Sequence, residues 1–346
     1  NPNYKFIDFT TALTKAYEIQ GSLCLGTSLN QLGYDHVFYV KLASGAVFSS
    51  LLSKGNEKIV HRTINHILLD GPSLRSYRHF PNVGKRKSWA AADASKRGIE
   101  LAKISQLNDE VYSSIQNDKN WGFEKNYLND SEIKFGKELN DWVIQNVLFK
   151  VLFPAEFHGQ SAVEGAIKLS KEFNQNIDKV KKINIFTHEP AIRIIANKEN
   201  LSNASDRDHS LEYMVSAALL FGELKYEMYG NDFSGLNKIE SLRKKIVVSE
   251  DTDFTKNYYE FSKRHISNSI EIVYDNNSTS EKITIENPIG HPSRREEAIP
   301  LLKEKFIRNV QNVLSLEKSM SLWEQVINLE KDDELTKFFN ILQDDE

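Results

Sequence analysis

Apolar positions along the first ~148 residues recur at helical spacing. Val60, Ile64, Ile67 and Leu68 follow i, i+4, i+7, i+8, one face of a helix. Asn56 supplies an N-cap before it and Gly71 a stop after it. Trp89–Gly98 carries four alanines and a serine, a surface that lets neighbouring helices come close. Trp142, Val143, Val147 and Leu148 predict another amphipathic helix, and no strand-type alternation occurs in this part.

Near Lys150 the pattern changes. Val151-Leu152-Phe153 is a short apolar run ended by Pro154, which predicts a strand. Ser161 with Glu164 reads as a capping box ahead of the helix face Val163, Ala166, Ile167. Strands are predicted at Ile183–Phe186, Ile246–Val248, Ile270–Tyr274 and Ile283–Ile285, the last two joined as a hairpin. Met214, Ala217, Ala218 and Phe221 form a helix face ending at Gly222. After Gly290-His291-Pro292, Ile299, Leu302, Phe306, Val310 and Val313 return to helical spacing, with Pro300 expected to start or kink that helix. A last helix is predicted around Leu335–Leu342, in an acidic tail. The expected fold class is mostly α with an α+β part: a helical domain over residues 1–148 and 291–346, and an α+β domain over 149–290 inserted in it.

Composition narrows the function. The net charge of −4 and a pI near 6.2 leave no basic footprint for nucleic acid. No apolar run reaches the ~18–20 residues that span a bilayer. One cysteine, Cys24, cannot form an internal disulfide or hold an iron–sulfur cluster, and between Leu23 and Leu25 it reads as a small buried apolar residue. The nine histidines show no His-Glu-x-x-His spacing. No glycine-rich nucleotide loop and no Gly-x-Ser-x-Gly is present. The chain opens Asn1-Pro2-Asn3 without a methionine, which is read as a missing N-terminal segment.

Three clusters hold the candidate chemistry: Gly33-Tyr34-Asp35-His36; Arg75 to His79 with Lys85 to Trp89; and Phe153 to Gln160. Their arginines, lysines and histidines suit a polycarboxylate, because each carboxylate is best met by guanidinium or ammonium donors. Arg78, His79 and His158 are the substrate-binding candidates from these clusters. Each also has a plainer reading, as a structural histidine, a solvated basic run, or a helix cap; Asp206-Arg207-Asp208-His209 reads as a capping and salt-bridging segment.

The ordered strings go further. Tyr17-Glu18-Ile19-Gln20-Gly21, Asp35-His36-Val37, Asp70-Gly71 with Leu74-Arg75, and Tyr77-Arg78-His79 with Pro81-Asn82 come first. Arg86-Lys87-Ser88-Trp89-Ala90-Ala91, Phe153-Pro154-Ala155-Glu156-Phe157-His158-Gly159-Gln160 and Thr187-His188-Glu189 with Ile192-Arg193 follow. Asp206-Arg207-Asp208-His209, Pro288-Ile289-Gly290-His291 and Arg294-Arg295-Glu296-Glu297 complete the series. Over nearly the whole chain it resembles the MmgE/PrpD family. The resemblance implies a helical domain with an inserted α+β lid, a homodimer, and an active site between the two domains. It implies dehydration of the tricarboxylate 2-methylcitrate to 2-methyl-cis-aconitate in propionate catabolism, with no metal, cluster or other cofactor. His36 and Lys87 match the family's catalytic histidine and lysine, and Tyr213 its lid tyrosine. Lys150 matches a substrate-binding lysine, although a decarboxylase-like alignment puts Val151 there. The family has an earlier stretch rich in aspartate and histidine, upstream of Asn1. Alternatives are decarboxylation of cis-aconitate, dehydration of citrate, and a truncated homologue without turnover. The Lys/Asn-rich composition points to a yeast-like source and the mitochondrial matrix, or the cytoplasm if the source is bacterial.

Overall fold

A computed structural model describes residues 4–79, 81–107, 112–173, 177–196 and 200–343; the opening Asn1-Pro2-Asn3 lies outside them. In chain order the elements are α1 (Phe6–Gly26), α2 (Val37–Leu52), α3 (Glu57–Asp70), α4 (Arg86–Ile104), α5 (Phe123–Tyr127), α6 (Trp142–Asn146) and α7 (Gln160–Phe173). Next come β1 (Val180–Thr187), α8 (Glu189–Ile195), α9 (Ala204–Arg207), α10 (Leu211–Phe221), α11 (Leu236–Arg243), β2 (Ile246–Glu250) and α12 (Thr252–Tyr259). β3 (Asn268–Tyr274), β4 (Ile283–Ile285), α13 (Arg295–Val310), α14 (Leu316–Ile327) and α15 (Leu335–Gln343) complete the chain. It is mostly α with an α+β part. Two compact units result: Asn1–Val147 with Val313–Glu346, and Leu148–Asn312.

In the first unit α2 packs against α1, α3 and α4. Phe38, Tyr39, Ile67 and Leu101 are buried there, and burial of each such side chain contributes about 1.5–3 kcal/mol. Asn56 caps α3 by accepting the Lys58 N–H at 3.1 Å, and Gly71 ends it at φ +63°. The small-residue face of α4 brings backbones into contact: a Cβ on Gly98 would stand 2.4 Å from the Lys41 carbonyl oxygen. The helix expected to close with Val147 and Leu148 is only the single turn α6. Its second and third N–H groups, from Val143 and Ile144, donate to the buried carboxylate of Glu18 at 3.1 and 2.8 Å.

The second unit holds a four-stranded sheet in the order β2-β1-β3-β4, with β1–β2 parallel and the other pairs antiparallel. Ile183 and Ile185 point into the core with Ile270 and Ile272, against Val163, Ala166 and Leu169 of α7 and Met214, Ala217 and Ala218 of α10. Between them Asn184 points the other way and donates to Glu271 at 2.7 Å. The four predicted strands and the hairpin are present. Two local expectations fail. Val151–Phe153 has no ladder partner among the described residues and runs as irregular chain. Ser161 is not a cap: α7 starts one residue earlier, after a 3₁₀ turn capped by Glu156, and the Ser161 hydroxyl donates to the Ile266 carbonyl at 2.5 Å. Of the two alternatives for Pro300 the start is ruled out, since it lies within α13, and Ile299 and Val313 of that predicted face are exposed.

Candidate active site

In the first unit Asp35 organises the turn ahead of α2. Its buried carboxylate accepts the Val37 N–H at 3.0 Å on Oδ1 and the Arg78 Nε–H at 2.6 Å on Oδ2. Burial pushes this carboxyl up, but Arg78, Tyr77 and the Val37 amide outweigh it and hold it below its ordinary range. Backbone bonds from Asp35 N to Ser73 O (2.8 Å) and from Arg75 N to Gly33 O (2.9 Å) fasten the two segments side by side. Gly33, at φ +83°, makes the left-handed turn this pairing needs.

His36 follows at the N-terminus of α2. Its Nδ1 lies 3.2 Å from Arg75 Nη1, and 3.3 Å from Asp35 Oδ1 without hydrogen-bond geometry. A guanidinium only donates, so Nδ1 is the acceptor and the ring proton sits on Nε2. By the same argument His79, whose Nε2 accepts from Arg75 Nε at 3.2 Å, carries its proton on Nδ1. Arg75 Nη1 is held as well by Asn30 Oδ1 at 3.1 Å. Burial pushes the His36 imidazole down to about 4; Asp35 opposes the shift, and Arg78 and Arg75 add to it. His36 is therefore neutral at physiological pH and offers Nε2–H as a donor. It lines a cavity of about 250 Å³ with Cys24, Thr27, Ser28 and Asn30. Cys24 is half-buried rather than fully buried, and burial pushes its thiol up to about 11.

Cations gather beside this turn. The Arg78 guanidinium stands 5.1 Å from the Tyr77 ring centre, and Arg86 stands 5.4 Å from Tyr77 and 4.5 Å from Trp89. Lys87 comes next, half-buried in the first turn of α4, its backbone N–H on the Gly84 carbonyl.

In the second unit two histidines pair. His158 Nδ1 lies 2.7 Å from His188 Nε2, and His188 Nδ1 faces the Ser267 carbonyl at 3.4 Å and the Thr187 hydroxyl at 3.3 Å. A carbonyl only accepts, so His188 donates from Nδ1, accepts on Nε2, and receives the His158 Nδ1–H. His158 Nε2 is left with the lone pair. Burial pushes both rings down, His188 to about 3, where His158 adds to the shift. Tyr258 stacks on His188 at 4.9 Å, and Asn268 donates to the His158 carbonyl at 2.9 Å. Lys150 is exposed, with its ammonium 5.2 Å from the Phe157 ring centre. Among the described residues no group of three or more His, Cys, Asp or Glu side chains is arranged to hold a metal ion.

Two family models match. The MmgE/PrpD N-terminal domain covers residues 4–136, and the MmgE/PrpD C-terminal domain covers residues 153–331, more than half of the chain. The chain belongs to the MmgE/PrpD family. It is 41% identical over 303 residues to 2-methylcitrate dehydratase of Escherichia coli K12, covering 87% of this chain and 62% of that protein. It is 40% identical over 311 residues to the mitochondrial 2-methylcitrate dehydratase of Yarrowia lipolytica, covering 89% and 60%. A probable 2-methylcitrate dehydratase of Saccharomyces cerevisiae is 39% identical over 311 residues, covering 88% and 60%. The chain thus spans about three fifths of the length of these relatives.

Within this MmgE/PrpD chain the candidates fall into groups. His36, Arg78 and His79 come together around Asp35 and Arg75, with Lys87 beside the same arginine–aromatic stack. His158 sits in the second unit, paired with His188, and Lys150 lies near it over Phe157. Tyr213 stands apart: it is fully buried, its hydroxyl donates to the Met228 carbonyl at 2.5 Å, and burial pushes the phenol up to about 12. Arg75 and Arg86 had only a collective place in the basic clusters, and His188 had none, although all three stand in the strings that carried the resemblance. Tyr258 stands in no such string and had no signal.

Proposed function

We propose that the gene product containing this chain removes water from 2-methylcitrate to give 2-methyl-cis-aconitate, without a metal ion. The observation that carries this is the close similarity, over most of the chain, to bacterial and fungal proteins named 2-methylcitrate dehydratase.

The reaction needs a base at the C–H beside a carboxylate, an acid at the departing hydroxyl, and positive charge for the carboxylate that gathers electron density. His36, neutral with Nε2–H, is suited to donate a hydrogen bond to the departing hydroxyl and steady the negative charge that gathers on it, while the proton itself comes from a cationic acid such as the Lys87 ammonium. Lys87 and the Arg78 Nη groups supply positive charge, Arg78 Nε being committed to Asp35. His79 and Arg75 hold His36 in its tautomer. Lys150 and His158 remain substrate-binding candidates, and the free lone pair on His158 Nε2 suits an acceptor or a base. Tyr213 is left out, because a buried hydroxyl donated to a backbone carbonyl is not free to reach a substrate. The same reading keeps residues 149–290 as a lid, the homodimer and, by analogy with the Yarrowia relative, a mitochondrial location.

The test is product analysis on the full-length gene product offered 2-methylcitrate, citrate and cis-aconitate in separate reactions. Dehydration of 2-methylcitrate is expected. Loss of carbon dioxide from cis-aconitate instead would replace this reading with a decarboxylase.

A further inference from the structure

A second cluster of cations lies within the Leu148–Asn312 unit. A cavity of about 480 Å³ is lined there by Lys150, Lys225, Lys305, Arg308, Asn309 and Asn312, and among the described residues Glu227 is the one acidic side chain in its wall. Lys225 is neutralised by Glu223 at 2.8 Å. Lys150, Lys305 and Arg308 have no carboxylate within ion-pair distance among the described residues. The Lys305 ammonium donates instead to the Lys150 carbonyl, which ties α13 to the segment before α7 and fixes one cation at the cavity wall. Burial, then Lys150 and Arg308, lower the Lys305 pKa from its ordinary value, so the three charges oppose one another.

One cation near the C-terminus of a helix is ordinary, since it answers the helix dipole, and Arg308 in the last turn of α13 does that. Three around one cavity exceed that need. The volume falls within the ~300–1,000 Å³ of small-molecule pockets. We propose that this cavity binds a small anion carrying two or more negative charges, held by Lys150, Lys305 and Arg308, with the side-chain amides of Asn309 and Asn312 as further donors. The selection is for charge: an acetate-sized monoanion meets one cation and leaves the other two in mutual repulsion. Only Lys150 is shared with the dehydratase reading; the proposal goes beyond that reading in Lys305 and Arg308, and it concerns binding by this unit whether or not turnover occurs.

The test is calorimetric titration of the full-length gene product with three probes: tricarballylate, a tricarboxylate with no hydroxyl to lose; inorganic pyrophosphate; and acetate. At least one multivalent probe should bind, more weakly as salt is raised, and acetate should not. Preference between tricarballylate and pyrophosphate tells which chemistry the cavity favours. Lys305→Met and Arg308→Met should each weaken binding by about tenfold or more, and Arg308→Lys should restore part of it. Melting curves like that of the parent would show that both variants are folded. Absence of binding by either multivalent probe overturns the proposal. So does parental affinity in Arg308→Met, which would put the bound anion elsewhere. Dehydration is assayed separately with 2-methylcitrate, so a failure there counts against the dehydratase reading alone.

Discussion

The state of His36 depends on Arg75, and Arg75→Met exposes that dependence. The substitution keeps a long side chain and removes a guanidinium whose nearest nitrogen lies 3.2 Å from His36 Nδ1. Two unit charges about 4 Å apart interact by about 1 kcal/mol in water and about 4 kcal/mol at an effective dielectric near 20. The His36 side chain is 39% exposed, which places the effect toward the lower end, at about 1–2 kcal/mol. That corresponds to a rise of about one pKa unit. From about 4 the ring should therefore titrate nearer 5, still short of an ordinary histidine, because burial is the larger cause and remains. The tautomer should change as well. With no donor facing Nδ1, the ring can carry its proton there toward Asp35, 3.3 Å away. Imidazole nitrogen resonances read both effects: Nε2-protonated in the parent at neutral pH, and mixed or Nδ1-protonated in the variant. Unchanged titration and tautomer in Arg75→Met would refute the reasoning.

Four further outcomes follow from the geometry. Lys87→Met should lower dehydration of 2-methylcitrate by about 10²-fold or more, as for loss of a charge that stabilises a transition state; steady-state rates close to the parent's would remove Lys87 from the site. Gly98→Ala should cost about 1–3 kcal/mol by forcing α4 off the Lys41 carbonyl, read as a lower urea midpoint, and an unchanged midpoint would mean the helices can part freely. Glu18→Ala should destabilise by about 1–2 kcal/mol and speed amide exchange at Val143 and Ile144, whose N–H groups it accepts. The pH dependence is set partly by His188, whose folded pKa near 3 lies below its unfolded value of ~6.5. The unfolded chain binds the extra proton between these values, so stability is complete above ~6.5 and declines by at most about 1.4 kcal/mol per pH unit as pH falls toward 3. His188→Gln should flatten unfolding curves taken from pH 7 to 5, and equal slopes for parent and variant would contradict this assignment.

Periodicity carried most of the architecture. The α3 face, its Asn56 cap and Gly71 stop, the small-residue face of α4 and all four strands are local patterns, set by residues within one element. The failures arise where the partner decides. Val151–Phe153 has the composition of a strand but no ladder partner among the described residues, and the Ser161 hydroxyl turns to Ile266, 105 positions away, instead of the helix end. The site divides in the same way. His36, Lys87 and Arg78 became candidates because their strings resemble a family. The network around them was not legible, since Arg75–His36 and His158–His188 join residues 39 and 30 positions apart, and no spacing rule reports a tautomer. Tyr213 shows the reverse: a tyrosine beside chemical neighbours in sequence, whose hydroxyl the fold gives to Met228.

The most direct measurement is proton NMR of 2-methylcitrate mixed with the full-length gene product after exhaustive chelation. The account expects the resonances of 2-methyl-cis-aconitate to grow at the same rate as in the unchelated sample, and growth to slow steeply in the Lys87→Met variant. Loss of turnover on chelation with recovery on adding a divalent cation, or an unchanged substrate spectrum in the presence of folded protein, would contradict it.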